Sequence, residues 1–362
     1  MTPPPPRKDY RLQLKNFLKN FGALSKNFLK FFEKPMRSLE DENRFAAEWM
    51  QAHKDGLRTE DLRDKLGMSA IRSVFIRRRS VEKRLGIRLP SLGGRENLGY
   101  IPQQAEEISI SGTVLVCSDV HLWPDHKPFA WFCLLEAVKR YKPTEIWING
   151  DLLDFPSISR HPRRGWEDRP TMVEEMDWAR QEMSALTKAA DKVGAVKRIT
   201  RGNHDARFEA YIAKNAPGLE GAPGTTLKEL YEVFDGWRIY HSLFVNETTM
   251  VKHTWHRSID AARRNTIGAG TNVVTGHTHR LLARPFSDYK GVRFGVETGF
   301  LGEIQGPQFA YGDGNPQDWQ PGFMVLHFDE RELLYEPVHT HAKRARVCGK
   351  WLYREDYDCS LQ

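Results

Sequence analysis

Five short clusters of side chains with metal-binding chemistry lie between positions 118 and 279: Ser118-Asp119-Val120-His121, Gly150-Asp151-Leu152-Leu153-Asp154, Gly202-Asn203-His204-Asp205, Lys252-His253 and Gly276-His277-Thr278-His279. Their donors are carboxylate, imidazole and one carboxamide, without a thiolate. That mix suits two divalent borderline cations, manganese ahead of iron or zinc. In D-x-H and H-x-H, alternate residues of an extended backbone point the same way, so both donors can face one pocket. A glycine precedes Asp151, Asn203 and His277, where bulk would keep neighbouring backbones apart. An amide, an imidazole and a carboxylate crowded onto the turn at 203–205 make a poor core. They make a good metal site with a proton donor beside it. The isolated histidines His53, His126, His241 and His327 read as surface or internally satisfied residues.

The clusters sit at or near the ends of short apolar runs, and these runs alternate with amphipathic stretches, the rhythm of a layered α/β domain. Strands are expected at Thr113–Cys117, Glu145–Asn149, Ala195–Thr200, Asn272–Thr275, Val292–Thr298, Phe323–Phe328 and Leu333–Pro337. Arg238–Val245 and Thr248–Lys252 read as a strand pair across Asn246-Glu247. Helices are expected at Phe129–Arg140, Thr171–Val193 and Ile259–Ile267. A long Gly/Pro-rich loop runs from Gly302 to Gly322, and loops of that size more often serve function than mere connection. The basic loop 157–170, with Arg160, Arg163 and Arg164, follows the second cluster. It reads either as a cradle for phosphates flanking the reacting one or as an ordinary solvated loop.

The 362 residues carry a formal net charge of +7, unevenly placed. Residues 1–100 hold 22 Lys and Arg against 12 Asp and Glu, a balance of +10, and the remainder holds 32 against 35, a balance of −3. A basic front on a near-neutral body suggests an anionic partner at the front and chemistry behind. Four scattered cysteines, Cys117, Cys133, Cys348 and Cys359, show neither disulfide-framework nor thiolate-zinc spacing and suit a reducing cytoplasm. No apolar run approaches membrane-spanning length.

Residues 1–40 repeat KNFLK at Lys15–Lys19 and Lys26–Lys30. The interval is about three helical turns, so Phe17, Phe21, Leu24, Phe28 and Phe32 would line one face. This basic amphipathic segment reads as packing on its own body or on a second subunit, which would give a homo-oligomer. A membrane surface or nucleic acid is the alternative. Residues 41–89 read as three short helices, with Thr59 and Ser69 as N-caps of the second and third and Gly67 and Gly86 as stops. Helix, glycine turn and Arg-rich helix resemble a helix-turn-helix module, which implies DNA contacts at Arg72, Arg77 and Arg78. The bland alternative is a small helical domain with a solvated basic face. Residues 90–107 read as a linker, 108–342 as the main domain and 343–362 as a tail.

In their order, D-x-H, GD-x-x-D, GNHD, H and GHTH, the five clusters resemble those of the calcineurin-like metallophosphoesterase superfamily across Asp119–His279. The resemblance implies an α/β fold with a layered β-sandwich flanked by helices. It implies one metal at Asp119, His121 and His279, another at Asn203, His253 and His277, and Asp151 bridging. The family usually places a glycine after the fourth histidine. Here Thr254 follows His253, and His256 is the alternative at that position. By the same resemblance the two cations share a hydroxide that attacks phosphorus in line, and His204 stabilises or protonates the departing oxygen. Asp205 would orient His204, with Asp154 behind the metal-binding residues. The stretch Asp318–Phe323 is similar to a tryptophan-bearing segment of bacterial and phage-type members. Three functions follow: a DNA-directed phosphodiesterase or nuclease, a phosphomonoesterase on phosphoprotein or nucleotide, and a non-catalytic DNA-binding or scaffolding protein. All the implied metal-binding positions being filled weighs against the third, and the candidate DNA-binding module favours the first.

Overall fold

The computed structural model describes residues 38–87, 89, 92, 105–163, 167–312, 317–355 and 357. The KNFLK repeats, the apolar stripe they carry and Arg164 lie outside the described residues. The chain divides into two compact units, Met1–Leu98 and Gly99–Gln362.

In the first unit three helices, α1 (Leu39–Lys54), α2 (Thr59–Lys65) and α3 (Ile71–Leu85), enclose a core of Phe45, Trp49, Leu62, Val74 and Val81. The N-caps are Arg58 and Ala70, each one residue away from the expected Thr59 and Ser69. Gly86 ends α3 in the left-handed region at φ 65°, which glycine adopts without penalty. Arg77 and Arg78 depart from expectation. Both are buried, Arg77 donating to the Asp41 carbonyl at 3.1 Å and Arg78 to Glu82 at 3.0 Å. Their guanidinium groups lie over the rings of Phe45 and Trp49. Long arginine stems cover apolar surface between α1 and α3, so these two residues hold the helices together instead of standing on the open basic face expected of them. Arg72 is exposed, and it shares the outward face of α3 with exposed Ile76, Arg79 and Lys83.

The second unit is a sandwich of two six-stranded sheets. One runs β1 (Ala105–Ile108), β6 (Ser242–Val245), β7 (Thr249–Val251), β8 (Asn272–Thr275), β10 (Gly291–Thr298) and β9 (Leu281–Asp288). The other runs β12 (Glu332–His339), β11 (Gly322–Asp329), β2 (Gly112–Cys117), β3 (Glu145–Asn149), β4 (Val196–Thr200) and β5 (Trp237–Tyr240). Strands β2 to β5 are mutually parallel, as are β7, β8 and β10. The central strands are buried on both faces, as parallel strands are. On β2, Val114 and Val116 join the core between the sheets, with Trp147, Leu243, Val251, Val274 and Val296. Leu115 and Cys117 point the other way, into the core under helices α4 (Phe129–Tyr141) and α5 (Met172–Val193). Helix α6 (Ala261–Ala269) covers the opposite sheet so closely that a Cβ on Gly295 would stand 2.0 Å from the Ala262 carbonyl oxygen.

Four strand assignments differ from the sequence reading. Arg238–Val245 is not one strand: β5 belongs to one sheet and β6 to the other, and the chain crosses at His241. Apolar Trp237 and Ile239 on one side of His241 and Leu243 and Val245 on the other keep the same period-two register, so the pattern hid the crossing. Strand β9 was not expected because it contains Pro285. It lies at a sheet edge, where a missing N–H is tolerated. Ala105–Ile108, across the end of the expected linker, pairs with β6 as an edge strand that buries only Ile108. The segment read as a tail carries a hairpin, β13 (Arg344–Val347) and β14 (Lys350–Tyr353), whose Ala345, Val347 and Leu352 pack into the helix-side core. Among the described residues no helix is long and apolar enough to cross a membrane.

Gly295→Ala is expected to destabilise the second unit by about 3 kcal/mol, because the obstructing atom is backbone and cannot rotate away. Urea unfolding measures this. Gly218→Ala, where an added Cβ meets nothing within 4 Å, serves as the control and should stay within about 0.5 kcal/mol of the parent.

Candidate metal centre

All five clusters stand just beyond the C-terminal ends of parallel strands. Asp119 and His121 follow β2, Asp151 follows β3, Asn203 and His204 follow β4, His253 follows β7, and His277 and His279 follow β8. Strand ends of this kind are where open α/β sheets gather ligands. The loops are not extended, as the D-x-H and H-x-H spacings suggested. Asp119, His121, Asp151, His277 and His279 all have positive φ, between 45° and 68°. Such backbone is uncommon outside glycine and persists only where the surroundings enforce it. Here the loops are stitched to one another. Asp119 N–H donates to the Gly150 carbonyl at 3.0 Å, Val120 N–H to the Asp151 carbonyl at 2.9 Å, and Gly276 N–H to the His253 carbonyl at 2.9 Å.

The three glycines make this convergence possible. A Cβ on Gly202 would fall 2.0 Å from Asp151 Oδ1, one on Gly276 2.7 Å from Asp119 Oδ2, and one on Gly150 2.5 Å from the His253 ring. Each is a contact that no side chain could make.

Two donor sets result. In the first, donor atoms of Asp119, His121 and His279 all lie within 4.8 Å of one another. Asp119 Oδ1 stands 3.2 Å from His279 Nε2 and 4.0 Å from His121 Nε2. Both Asp119 Oδ1 and His121 Nε2 are buried without a hydrogen-bond partner. In the second set Asp151, His253 and His277 group in the same way. His253 Nδ1 faces the Asn149 carbonyl at 2.7 Å, which makes that nitrogen the donor. Its Nε2 then faces only oxygens: Asp151 Oδ2 at 3.0 Å, Asn203 Oδ1 at 3.1 Å and Asp119 Oδ1 at 3.9 Å. Acceptors converging on one nitrogen require a positive charge among them, a proton or a metal ion. Buried atoms without partners and a hard–borderline donor set fit divalent cations. His256 is exposed and stacks on Trp255, so of the two fourth-cluster histidines only His253 reaches this pocket.

The electrostatics match. Burial works against ionised Asp119, but His253 and His279 outweigh it and hold the carboxyl at about 2. Asp151 is likewise held well below the carboxylate range, His253 and His204 overcoming its burial. His253 is pushed up to about 10, since Asp151 and Asp119 outweigh its burial. His277 goes the other way, down to about 4, through burial and the neighbouring His253.

His204 stands beside both sets. Its N–H donates to Asp151 Oδ1 at 2.8 Å, and its Nδ1 meets Asp154 Oδ1 at 2.5 Å. The same Asp154 oxygen takes the Nδ1 of His121 at 3.1 Å. One carboxylate therefore orients two imidazoles. Burial weighs against a charged His204, but Asp151 and Asp154 raise its pKa above the ordinary value. Asp205 does not have the role expected of it. Its carboxylate is fully buried and accepts the N–H groups of Gly202 at 2.8 Å, Asp151 at 2.9 Å and Leu152 at 3.1 Å, together with the Tyr231 hydroxyl. The side chain turns into the loop of the second cluster and pins it, so the orienting acid of His204 is Asp154.

Beside His204 opens a cavity of about 440 Å³ whose walls include Trp123, Asp154, His204, Arg207 and Gln308. Arg207 places NH2 3.4 Å from His204 Nε2 and donates through NH1 to the Asp154 carbonyl. It follows the third cluster by two residues, and only that proximity could have marked it. Of the basic loop, Arg160 is exposed and off this wall, and Arg163 is tied to the Glu167 carbonyl at 2.7 Å. Neither lines the cavity, and of the loop's residues on the wall the basic ones are His161 and Arg169, beside the acidic Glu167 and Asp168. The long loop returns over the first donor set, with Phe309 5.4 Å from the His121 ring and Trp319 4.5 Å from that of His279.

Residues 112–281 match the family model of the calcineurin-like phosphoesterases. The matched stretch is a little under half of the chain and takes in all five clusters, from Asp119 to His279. The chain is similar to the Gene 54 protein of Mycobacterium phage D29, with 29% identity over 266 residues that cover 66% of this chain and 98% of the phage protein. The Gene 54 protein of Mycobacterium phage L5 is 29% identical over 67% of this chain and 98% of its own. Among solved structures, an archaeal phosphodiesterase aligns with a TM-score of 0.33 at 16% identity, covering 62% of this chain and 99% of its own. Yfce, a phosphoesterase from E. coli, aligns at 0.30 and 14%, covering 61% and 90%. Likenesses of that size say nothing about substrate.

Asp205→Ala is expected to destabilise the protein by about 3 kcal/mol or more, because it strands buried N–H groups and a buried hydroxyl. Equilibrium unfolding reads the loss. Unchanged stability with lost turnover would instead return Asp205 to a role at His204.

Proposed function

We propose that this protein hydrolyses phosphodiester bonds of DNA with two divalent cations, manganese foremost. Asp119, His121 and His279 would hold one, Asn203, His253 and His277 the other, with Asp151 between them. The observation that carries the reading is the adjacency of the two buried donor sets, with Asp119 Oδ1 within 4 Å of histidines from both. When bound, such a pair neutralises phosphoryl charge and makes water acidic enough to supply a nucleophile.

The chain's own residues divide the remaining work. Asp154 fixes His204 by its Nδ1, which leaves Nε2 toward the cavity beside Arg207. A histidine with a raised pKa can lend its proton to a departing alkoxide. Arg207 adds a second positive charge where that oxygen would gather negative charge. DNA as the partner is supported by the +10 balance of the first hundred residues and by Arg72, Arg79 and Lys83 on the open face of α3. A reducing cytoplasm suits the free thiols of Cys117, Cys133 and Cys348.

Turnover with manganese should be compared for a chromogenic phosphate diester, the corresponding monoester, and DNA. The diester and DNA are expected to react, and turnover of the monoester alone would overturn the assignment. His204→Ala should lose at least about a hundredfold in turnover while elemental analysis finds its manganese unchanged, whereas Asp151→Asn should lose both. Metal loss in the His204 variant would show that the imidazole holds metal rather than a proton.

A further inference from the structure

Trp255 follows the candidate metal-binding residue His253 by two positions, yet it is 40% exposed while His253 is 1% exposed. An indole left open beside a buried polar centre is not needed for the core. The ring is nevertheless held in place. His256 stacks on it at 5.6 Å and 11°, Lys252 Nζ lies 5.6 Å from its centroid, and its rim lies 3.4 Å from where a Cβ on Gly268 would stand. The surroundings are basic. Lys252 and the exposed Arg257 flank the ring in the chain, three residues before it and two after, and make no ion pair among the described residues. Arg201 and Lys252 both disfavour a charged His241, which is exposed. Of these cations Arg201 is partly offset by Glu209 at 2.7 Å.

A fixed aromatic face amid cations, next to a phosphoester centre, matches one kind of ligand better than others. A nucleic-acid strand brings a phosphate for the cations and a flat base for the ring, and stacking of this kind does not depend on base identity. A duplex covers both faces of each base with its neighbours, so only an unpaired strand can offer one.

We propose that Trp255, with Lys252 and Arg257, is a stacking platform for an unpaired base next to the scissile phosphate, so that single-stranded nucleic acid is the preferred substrate. This rests on the reading of the centre as a nucleic-acid phosphodiesterase.

The test uses the full chain and two measurements. Fluorescence anisotropy in EDTA follows binding of a short labelled oligothymidylate and of its duplex with the complementary strand. Turnover of a small chromogenic diester with manganese is measured in parallel. Trp255→Ala is expected to weaken single-strand binding about tenfold, with duplex binding and small-diester turnover held within about twofold of the parent. Trp255→Phe should restore most of the single-strand affinity. Unchanged single-strand binding in Trp255→Ala, equal losses on single strand and duplex, no single-strand binding by the parent, or a parallel fall in small-diester turnover would each overturn the platform. Absent diester turnover by the parent would defeat the phosphodiesterase reading alone, since anisotropy still decides whether Trp255 binds a strand.

Discussion

Two carboxylates, Asp119 and Asp151, are buried together at the ends of adjacent strands and remain ionised. Taking charge out of water is costly unless opposite charge is brought to it. Much of the second unit answers that requirement. Imidazoles from three further loops surround the pair, and the glycines at 150, 202 and 276 clear the space for them. Left-handed backbone at five of these positions turns the side chains inward. Asp205 pins the turn that carries Asp151, and Glu175 does the same one turn later by accepting the N–H groups of Asp154 and Phe155, burial pushing its own carboxyl up to about 8. The sandwich is the frame that brings strand ends from two sheets to one place.

The same crowding separates two kinds of histidine. His121 and His204 both give Nδ1 to Asp154, but only His204 also borders an open cavity and Arg207. His121 looks into the first donor set under Phe309. Residues of one chemical type thus take distinct tasks according to what lies beyond Nε2, a difference of position and not of composition.

How far the sequence revealed this can be read residue by residue. Donor types, their glycines and the strand ends are local features, and the seven candidate residues it named do meet in one pocket. Side-chain direction was less accessible. Asp205 follows His204 in the chain yet turns away from it, and Asp154, some fifty positions earlier, takes its place. Arg77 and Arg78 looked like a basic face until packing of α3 on α1 buried them. The crossing at His241 left little mark because the apolar residues on either side of it keep one period-two register, and β9 was masked by a proline that only an edge strand accepts. Arg207 and Trp255 had no motif to announce them. Each miss is a matter of long-range contact, which one residue's neighbours in sequence do not encode.

The central claim is that this pocket gathers a pair of cations. Elemental analysis of the purified protein after saturation with manganese and dialysis tests it most directly. The account predicts two ions per chain, and fewer than one would contradict it.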